Sequence, residues 1–493
     1  MTEVPAGDTG RFQDVTGEGL RGRAARGTVV NSAFLIGLNA LALVRGIAVA
    51  GFVTVGDYGV WGLVIVVFVT LYALLQVGVD DKYIQQDAQD QERAFQLAFT
   101  LQLILSGTFV VLIVVAMPLF ALAFGTWEVL LPGWALALAM PATAFQAPLW
   151  TFYRRLDYLA QRRLQAADPV VALVVTLGLA AAGLGYWALV IGTICGAWAA
   201  AAVATRASPY KLALAYDRGA VREYATFSVP LMINGACIAV IGLGPTLVAQ
   251  RSLGTAAVGA MAIANNVSVY ANKVDEIVTS TVYPVIAAVK DRIDLLEEAF
   301  LKSNRVGLLW AAPTGLAIAF FAHDLVHLVL GSRWGIAIPL LQSFGLVAVI
   351  NQIAFNWTAF FRAIGDTRPI AVGGVALAVA VSVIAVPLLA ADGLEAFGVG
   401  WIAASAVVVL VRLFYLRRLF SLGPILINVV AGLTPAVVAL AATAALRVEL
   451  WGGDRSAAQA ILEVVVFSGV TIAVTLATQR ALLREFRGYL RRS

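Results

Sequence analysis

Charged residues are few inside the long apolar segments of this sequence, and four of them are candidates for chemistry. Arg45 lies in the first such segment, and Lys273, Asp275 and Glu276 lie together in the middle of another. A charged side chain at the centre of a membrane is costly unless it faces a cavity or a charged partner. The four residues therefore predict a polar cavity, or a structural ion pair of Arg45 with Asp275 or Glu276. The two carboxylates have a third interpretation, the uptake of protons or sodium ions that couples an ion gradient to movement.

The apolar segments dominate the composition. The chain of 493 residues is 61% hydrophobic and 13% charged, and its mean hydropathy is +0.88, whereas soluble proteins carry about 25% charged residues. Because a bilayer-spanning helix needs ~20 apolar residues, the pattern predicts an all-α polytopic membrane protein with about 14 transmembrane helices. The predicted spans are 27–53, 58–79, 94–123, 131–152, 167–184, 186–205, 224–249, 256–287, 304–329, 336–361, 369–390, 396–416, 424–446 and 459–478. Turn residues predict breaks between spans at Gly56-Asp57, Gly183-Leu-Gly185, Gly331-Ser-Arg-Trp-Gly335, Asp392-Gly393 and Gly452-Gly453.

The two halves of the sequence repeat each other at an offset of roughly 200 residues. Gly59 and Gly259 correspond, each at the predicted start of a helix. The other recurring residues are Trp127, Pro132 and Arg154 in the first half and Trp334, Pro339 and Arg362 in the second. Parallel membrane repeats are related by an axis along the membrane normal. We therefore predict two six-helix bundles, 27–205 and 224–416, related by a pseudo-twofold axis along that normal, with two additional transmembrane helices at 424–478.

Most Lys and Arg residues fall in alternate turns between the spans. Because basic loops stay on the cytoplasmic side, we expect both termini to be cytoplasmic, as a disordered tail at 1–26 and a basic tail at 479–493. Arg412 belongs to the cations assigned to the inner side. Arg251 and Arg447 belong to the few assigned to outer turns, and Arg251, between spans seven and eight, is a candidate outer gate or an ordinary solvated loop residue.

Several segments, taken in order, resemble those of a known family. They include GFVTVGDYGVWGLVIV, LLQVGVDDKYIQQDAQDQERAFQLAF, YRRLDYLAQRRLQAADPV, SLGTAAVGAMAIANN, GSRWGIAIPLLQSFG and FFRAIGDTRP. From about residue 27 to 420, their order and spacing resemble the polysaccharide exporters, or lipid-linked oligosaccharide flippases, of the multidrug/oligosaccharidyl-lipid/polysaccharide exporter superfamily. Two positions depart from the family pattern. In helix seven, Gly-Leu-Gly-Pro245 stands where family members often carry an Asp. At the end of helix one, Gly51-Phe52 stands where they often carry a basic residue.

The resemblance implies a secondary transporter that flips an isoprenoid-pyrophosphate-linked oligosaccharide from the inner to the outer leaflet. It also implies that helices one, two, seven and eight line a central cavity, which places Arg45 and Lys273 in its wall. Cations suit a pyrophosphate, either as point charges or as a bidentate fork. Amides that bind sugar hydroxyls, or that alternatively form hydrogen bonds between helices, are Asn39, Asn234, Asn266 and Asn272.

The predicted partners are the lipid-linked oligosaccharide, the bilayer of a bacterial cytoplasmic membrane and other polysaccharide-assembly membrane proteins, with no nucleic acid. The sequence has no Walker lysine loop and no catalytic constellation. Its two cysteines lie within spans, and its two histidines lack a third ligand nearby. We therefore predict that the protein is not an enzyme and uses neither cofactor nor metal. Two alternatives stay open: a multidrug/toxin cation antiporter of the same superfamily, and a polytopic glycosyltransferase or polysaccharide polymerase.

Overall fold

The regular secondary structure of the described residues is entirely helical. The computed structural model describes residues 34, 37, 38, 40–74, 79–85, 89–155, 157–275, 278, 279, 286, 292–366, 368–450 and 456–480. These residues contain no β-strand. They include 8 helices that are long and apolar enough to cross a membrane, or up to 10 if each of two bent pairs is a single span. The all-α membrane fold is confirmed, and the count of fourteen spans stays a prediction.

The chain divides into two compact units. One contains residues up to Val53 and Val60–Ala239, and the other contains Thr54–Gly59 and the residues from Val240 onward. The earlier helices are α1 (Ala40–Ala50), α2 (Val55–Leu74), α3 (Val79–Gln85), α4 (Gln91–Phe124), α5 (Leu130–Ala137), α6 (Met140–Phe145), α7 (Pro148–Arg154), α8 (Tyr158–Gln165), α9 (Ala167–Ala181), α10 (Tyr186–Arg206) and α11 (Arg218–Leu253). The later helices are α12 (Thr255–Ser268), α13 (Ile293–Phe320), α14 (Ala322–Asp324), α15 (Ile338–Asn351), α16 (Trp357–Ala363), α17 (Arg368–Ala380), α18 (Val386–Leu416), α19 (Leu422–Leu450) and α20 (Ala457–Thr478).

Helix α2 begins at Val55, three residues before the predicted start. Thr54 and Asp57 satisfy each other's backbone: the amide of Asp57 donates to Thr54 Oγ1 at 3.0 Å, and the amide of Thr54 donates to Asp57 Oδ2 at 3.2 Å. This reciprocal pair is a capping box, which supplies acceptors for amides that have no partner within the helix. The predicted break at Gly56-Asp57 therefore lies in the first helical turn.

Other predicted breaks coincide with glycines in the left-handed region. The backbone φ angle is 84° at Gly183, 54° at Gly185, 96° at Gly331 and 79° at Gly393. Glycine adopts these angles without the steric penalty that a Cβ imposes. The turn residues therefore locate these breaks correctly, including the kink at Gly393 inside α18.

The first unit contains a closely packed helix pair, α9 and α10. A Cβ added to Gly196 would lie 2.9 Å from the Cβ of Ala172 and 2.8 Å from the carbonyl oxygen of Asp168. A Cβ added to Gly192, one turn earlier, would overlap the side chain of Thr176. Two small residues four positions apart thus let the two backbones approach, as is common between membrane helices.

An aromatic and cationic cluster fixes the first unit where α3, α4 and α7 meet. The ring of Tyr83 lies edge-on to Phe95, with ring centroids 6.1 Å apart, and the guanidinium of Arg154 lies 5.7 Å from the centre of the Tyr83 ring. Arg154 also donates a hydrogen bond to Gln91. Burial raises the pKa of Tyr83 to about 12, so its hydroxyl stays protonated at neutral pH.

In the second unit, the two additional helices α19 and α20 are attached to α13 through polar contacts. Arg305 Nε on α13 donates to Asn428 Oδ1 on α19 at 2.7 Å. Toward the other end of α19, Arg447 Nη2 lies 2.6 Å from Glu463 Oε2 on α20 and 3.8 Å from Asp324 Oδ2, which follows α13. The sequence predicts Arg447 in an outer turn just after the span 424–446. The helix instead extends to Leu450, so Arg447 lies in its last turn and pairs with the fully buried Glu463.

Candidate functional site

Arg45, one of the two predicted substrate-binding cations, lies half-buried in α1. Within the first unit, its positive charge acts on the carboxylate of Asp168 in the first turn of α9. The sequence predicts only Asp275 and Glu276 as acidic partners of Arg45. Asp168 is therefore a third candidate for the structural ion pair, and it can be tested within one unit.

Lys273 lies half-buried at the end of a tightened helical turn. Helix α12 ends at Ser268 and continues as a 3-10 turn, Val269–Asn272, which Lys273 terminates. Such a turn within a span is typical of a functional hinge or a strained sequence. The side-chain oxygen of Asn272 is buried and has no hydrogen-bond partner among the described residues. An amide acceptor with unused capacity therefore adjoins a cation, which suits a ligand that carries both hydroxyl and anionic groups.

Asn266 is already engaged in a contact between helices. Its amide nitrogen lies 2.8 Å from the hydroxyl oxygen of Tyr58. The Tyr58 ring is 1% exposed and lies edge-on to Trp334, with ring centroids 5.4 Å apart. This contact fits the alternative that the sequence left open for Asn266, a hydrogen bond between membrane helices.

The beginnings of α2 and α12 cross at the corresponding glycines of the two repeats. A Cβ added to Gly59 would overlap the carbonyl oxygen of Thr255, and a Cβ added to Gly259 would overlap that of Val55. The backbone amide nitrogen of Gly59 lies only 3.0 Å from the Cβ position at Gly259. These contacts are reciprocal. Val55 corresponds to Thr255 and Gly59 corresponds to Gly259 at the offset found in the sequence, and each glycine contacts the counterpart of the residue that the other glycine contacts. Reciprocal contacts of this kind are what a twofold axis produces. We name this contact the glycine crossing.

Some predicted site residues lie partly or wholly outside the described part of the chain. Asn39 and Glu276 are not among the described residues, and Asn234 lies in α11 without a described side chain. Arg251, the predicted outer gate, is exposed in the last turn of α11.

A polar network at a break in predicted span ten was missed by the sequence analysis. That span consists of α15 and α16, separated by residues 352–356, and Ala354 within the break has a φ of 55°. Gln352 Nε2 donates to Asp275 Oδ1 at 2.7 Å, and Asn304 Nδ2 donates to the carbonyl of Gln352 at 3.0 Å. Asp275 therefore has a hydrogen-bonded partner in the second unit, from a residue that the sequence analysis did not single out.

Arg412 completes this network from α18. Its Nη1 donates to the carbonyl of Asn351 at 2.6 Å and to that of Ile353 at 3.1 Å. Arg412 is one of the cations that the sequence assigns to the inner side, and it lies within the predicted span 396–416. The structure places it half-buried in α18. The amide-rich stretch Asn351–Asn356 was the sequence signal available for the break, since it interrupts an otherwise apolar span.

Known proteins match the chain by sequence. The pattern that describes polysaccharide biosynthesis proteins matches residues 48–339, which is more than half of the chain. The lipopolysaccharide biosynthesis protein WzxC of Escherichia coli (strain K12) is 30% identical over 109 residues, 22% of each chain. A membrane protein in the cps region of Klebsiella pneumoniae is 25% identical over 135 residues, 27% of this chain and 28% of that one. The chain thus aligns with about a quarter of the length of these relatives.

Solved structures share the fold. The lipid II flippase MurJ in an inward closed conformation has a TM-score of 0.73 at 11% identity, covering 92% of this chain and 100% of that one. An inward-facing multidrug resistance transporter of the MATE family has a TM-score of 0.64 at 16% identity, covering 79% of this chain and 97% of that one. Because the sequence pattern covers most of the first repeat and part of the second, the chain belongs to the polysaccharide biosynthesis protein family, as a multi-pass membrane protein with the fold of the multidrug/oligosaccharidyl-lipid/polysaccharide exporter superfamily.

Proposed function

We propose that this protein flips an isoprenoid-pyrophosphate-linked oligosaccharide across the bacterial cytoplasmic membrane, by alternating access of two bundles. One observation carries the proposal: a member of a polysaccharide biosynthesis family shares the fold of a lipid II flippase over the whole length of that chain. The TM-score to this flippase, 0.73, exceeds the 0.64 of the multidrug transporter. Both structures share the fold, and the match to the polysaccharide biosynthesis family is what favours a lipid-linked glycan over the cation-antiport alternative.

Arg45 and Lys273 are the proposed contacts for the pyrophosphate. Both are half-buried cations on apolar helices, where charge is costly without a functional partner. The unused oxygen of Asn272 beside Lys273 supports a sugar-binding role for this turn. Asn39 and Asn234 stay candidates for the same role, whereas Asn266 would have to leave Tyr58 to reach a sugar.

Substitution of the two cations tests this site. We expect Arg45→Gln and Lys273→Gln to keep normal abundance in the membrane and to lose glycan export, because a neutral amide cannot hold the pyrophosphate charge. Export is measured as surface polysaccharide, and abundance by immunoblot of membranes. The exposed Arg93→Gln on α4 is the matched control and should export normally.

The alternative role, an ion pair of Arg45 with Asp168, gives a different pattern. Arg45→Gln would then lower abundance, and the double variant Arg45→Gln/Asp168→Asn would restore both abundance and export, because no charge is left without its partner. Wild-type export by stable Arg45→Gln and Lys273→Gln variants would reject a substrate-binding role for both residues.

Deletion of the gene separates the three candidate functions. A flippase defect leaves complete lipid-linked glycan on the inner leaflet, whereas loss of a polymerase or glycosyltransferase leaves a shorter glycan. Loss of a multidrug antiporter leaves the glycan unchanged and raises sensitivity to cationic drugs. Accumulation of the complete lipid-linked glycan, accessible only to reagents that reach the inner leaflet, is the result expected for a flippase.

The proposed orientation has its own test. Reporter fusions after residues 160, 215, 295, 365 and 420 should all be cytoplasmic, because each follows a basic segment. Alkaline phosphatase and green fluorescent protein fusions distinguish the two sides. A periplasmic result at 295, with the other four unchanged, would contradict the arrangement of fourteen spans.

A further inference from the structure

The break between α15 and α16 exposes backbone carbonyls in an apolar region. Helix α15 ends at Asn351, and the following residues form tight turns, such as Ile353 N to Ile350 O at 3.0 Å and Phe355 N to Gln352 O at 3.3 Å. The carbonyl groups at a helix C-terminus carry partial negative charge, and no amide of the same helix donates a hydrogen bond to them. In discontinuous membrane helices, such carbonyls are ligands for cations.

Two of these carbonyls converge on a single nitrogen atom. Arg412 Nη1 donates to the carbonyl oxygens of Asn351 and Ile353 at 2.6 and 3.1 Å. The carbonyl between them, that of Gln352, is occupied by Asn304. Three consecutive carbonyls are thus bound by side chains from α13 and α18, and a cation lies at the centre of the arrangement.

The surrounding groups are also those of a cation site. Asp275 belongs to the same network, because its carboxylate accepts from the side chain of Gln352, and the backbone carbonyls on either side of Gln352 accept from Arg412. The side-chain oxygens of Gln352 and Asn304 are buried without partners among the described residues, and both residues are 0% exposed. A carboxylate, backbone carbonyls and amide oxygens are the ligands that hard cations prefer.

The residues around the break between α15 and α16 are closely packed. A Cβ added to Gly307 on α13 would overlap Gln352 Nε2 and lie 2.6 Å from the ring of Phe355. Ala354, which is 0% exposed, has a φ of 55° in the left-handed region, which is sterically unfavourable for a residue with a Cβ. A site that keeps a strained residue at its centre is held by its neighbours rather than by local preference.

We propose that the second unit carries its own cation: Arg412 is a tethered guanidinium that occupies a carbonyl–carboxylate site at the break of span ten, in the place of an inorganic ion. Asp275 consequently serves as the counter-charge of Arg412 and binds no coupling ion. The proposal is independent of which lipid is transported, and it assigns Arg412 as a positioning residue for the broken helix.

The first test compares ions on the wild-type protein. The thermal unfolding midpoint of the purified full-length chain should be equal in sodium chloride and in choline chloride of the same ionic strength. A higher midpoint in sodium that disappears in Asp275→Asn would overturn the proposal, because an inorganic cation would then be bound at Asp275.

The second test removes the guanidinium group of Arg412. Arg412→Ala should lower the midpoint, and millimolar ethylguanidinium or sodium should raise it again with a saturating dose dependence, as mass action requires. The same salts should leave Arg417→Ala unchanged, since Arg417 instead stacks on Phe414, 4.2 Å from the ring centre. No recovery of Arg412→Ala by ethylguanidinium, sodium or potassium would overturn the proposal.

A third variant keeps the proposal testable if Arg412→Ala does not fold. Arg412→Lys retains the charge on a side chain without the planar fork. It should fold with a lowered midpoint that ethylguanidinium does not change, because the site stays occupied. A sodium-dependent increase in Arg412→Lys that requires Asp275 would contradict the tethered-cation assignment.

Discussion

Alanine at Gly259 is expected to destabilise the protein by about 1–3 kcal/mol and to abolish most glycan export, because its Cβ would overlap the carbonyl oxygen of Val55. The obstacle is backbone, so no rotamer change relieves it, and the starts of α2 and α12 must separate. If alternating access requires the glycine crossing to close in one state, the variant cannot complete the transport cycle. The measurements are the thermal unfolding midpoint of the purified protein and surface polysaccharide in cells.

The glycine crossing supplies its own partner variant and control. Gly59→Ala should have the same effect, and Gly59→Ala/Gly259→Ala should cost less than the sum of the two, since both residues act at one contact. Gly107→Ala on α4 is the control, because nothing lies within 4 Å of its Cβ position. It should be neutral or stabilise by about 0.5–1 kcal/mol, as expected for Gly→Ala within a helix. Equal behaviour of Gly107→Ala and Gly259→Ala would contradict the role of the crossing.

Removal of Arg447 is expected to have the largest effect on stability. Arg447→Met should cost about 3–5 kcal/mol, because it leaves the carboxylate of Glu463 buried without its cation. The guanidinium lies 2.6 Å from Glu463 Oε2 and 3.8 Å from the centre of the Phe320 ring, so the substitution also removes a cation–π contact. Loss of this pair should weaken the attachment of α19 and α20 to α13. The unfolding midpoint and the abundance in membranes report the result.

Two variants separate the ion pair from simple loss of packing. Arg447→Met/Glu463→Gln removes both charges and should recover a large part of the loss, because a neutral pair needs no counter-charge. Arg333→Met replaces an exposed arginine in the turn after span nine and should change the midpoint little. A double variant as unstable as Arg447→Met would show that packing, rather than charge pairing, determines the effect.

The sequence determined the membrane fold and many of its breaks. A bilayer offers no water to the backbone, so apolar segments of sufficient length must be helices. The described helices agree with this rule, and Gly183, Gly331 and Gly393 end or kink helices where turn residues predicted breaks. The offset of the repeats also identified Gly59 and Gly259 as equivalent residues, and the structure places them in reciprocal contact.

The tertiary structure decided which charged residues meet. The sequence showed that Arg45 and Asp275 are costly in a membrane, but it did not single out Asp168, on whose carboxylate the charge of Arg45 acts, or Gln352, which donates to Asp275. The sequence also did not predict that Arg412 donates hydrogen bonds to the backbone carbonyls of Asn351 and Ile353. The length of an apolar helix can be predicted from its own residues. The polar residues that it contacts depend on which faces of separate helices pack together. Helix packing determines these contacts, so they are known only from the tertiary structure.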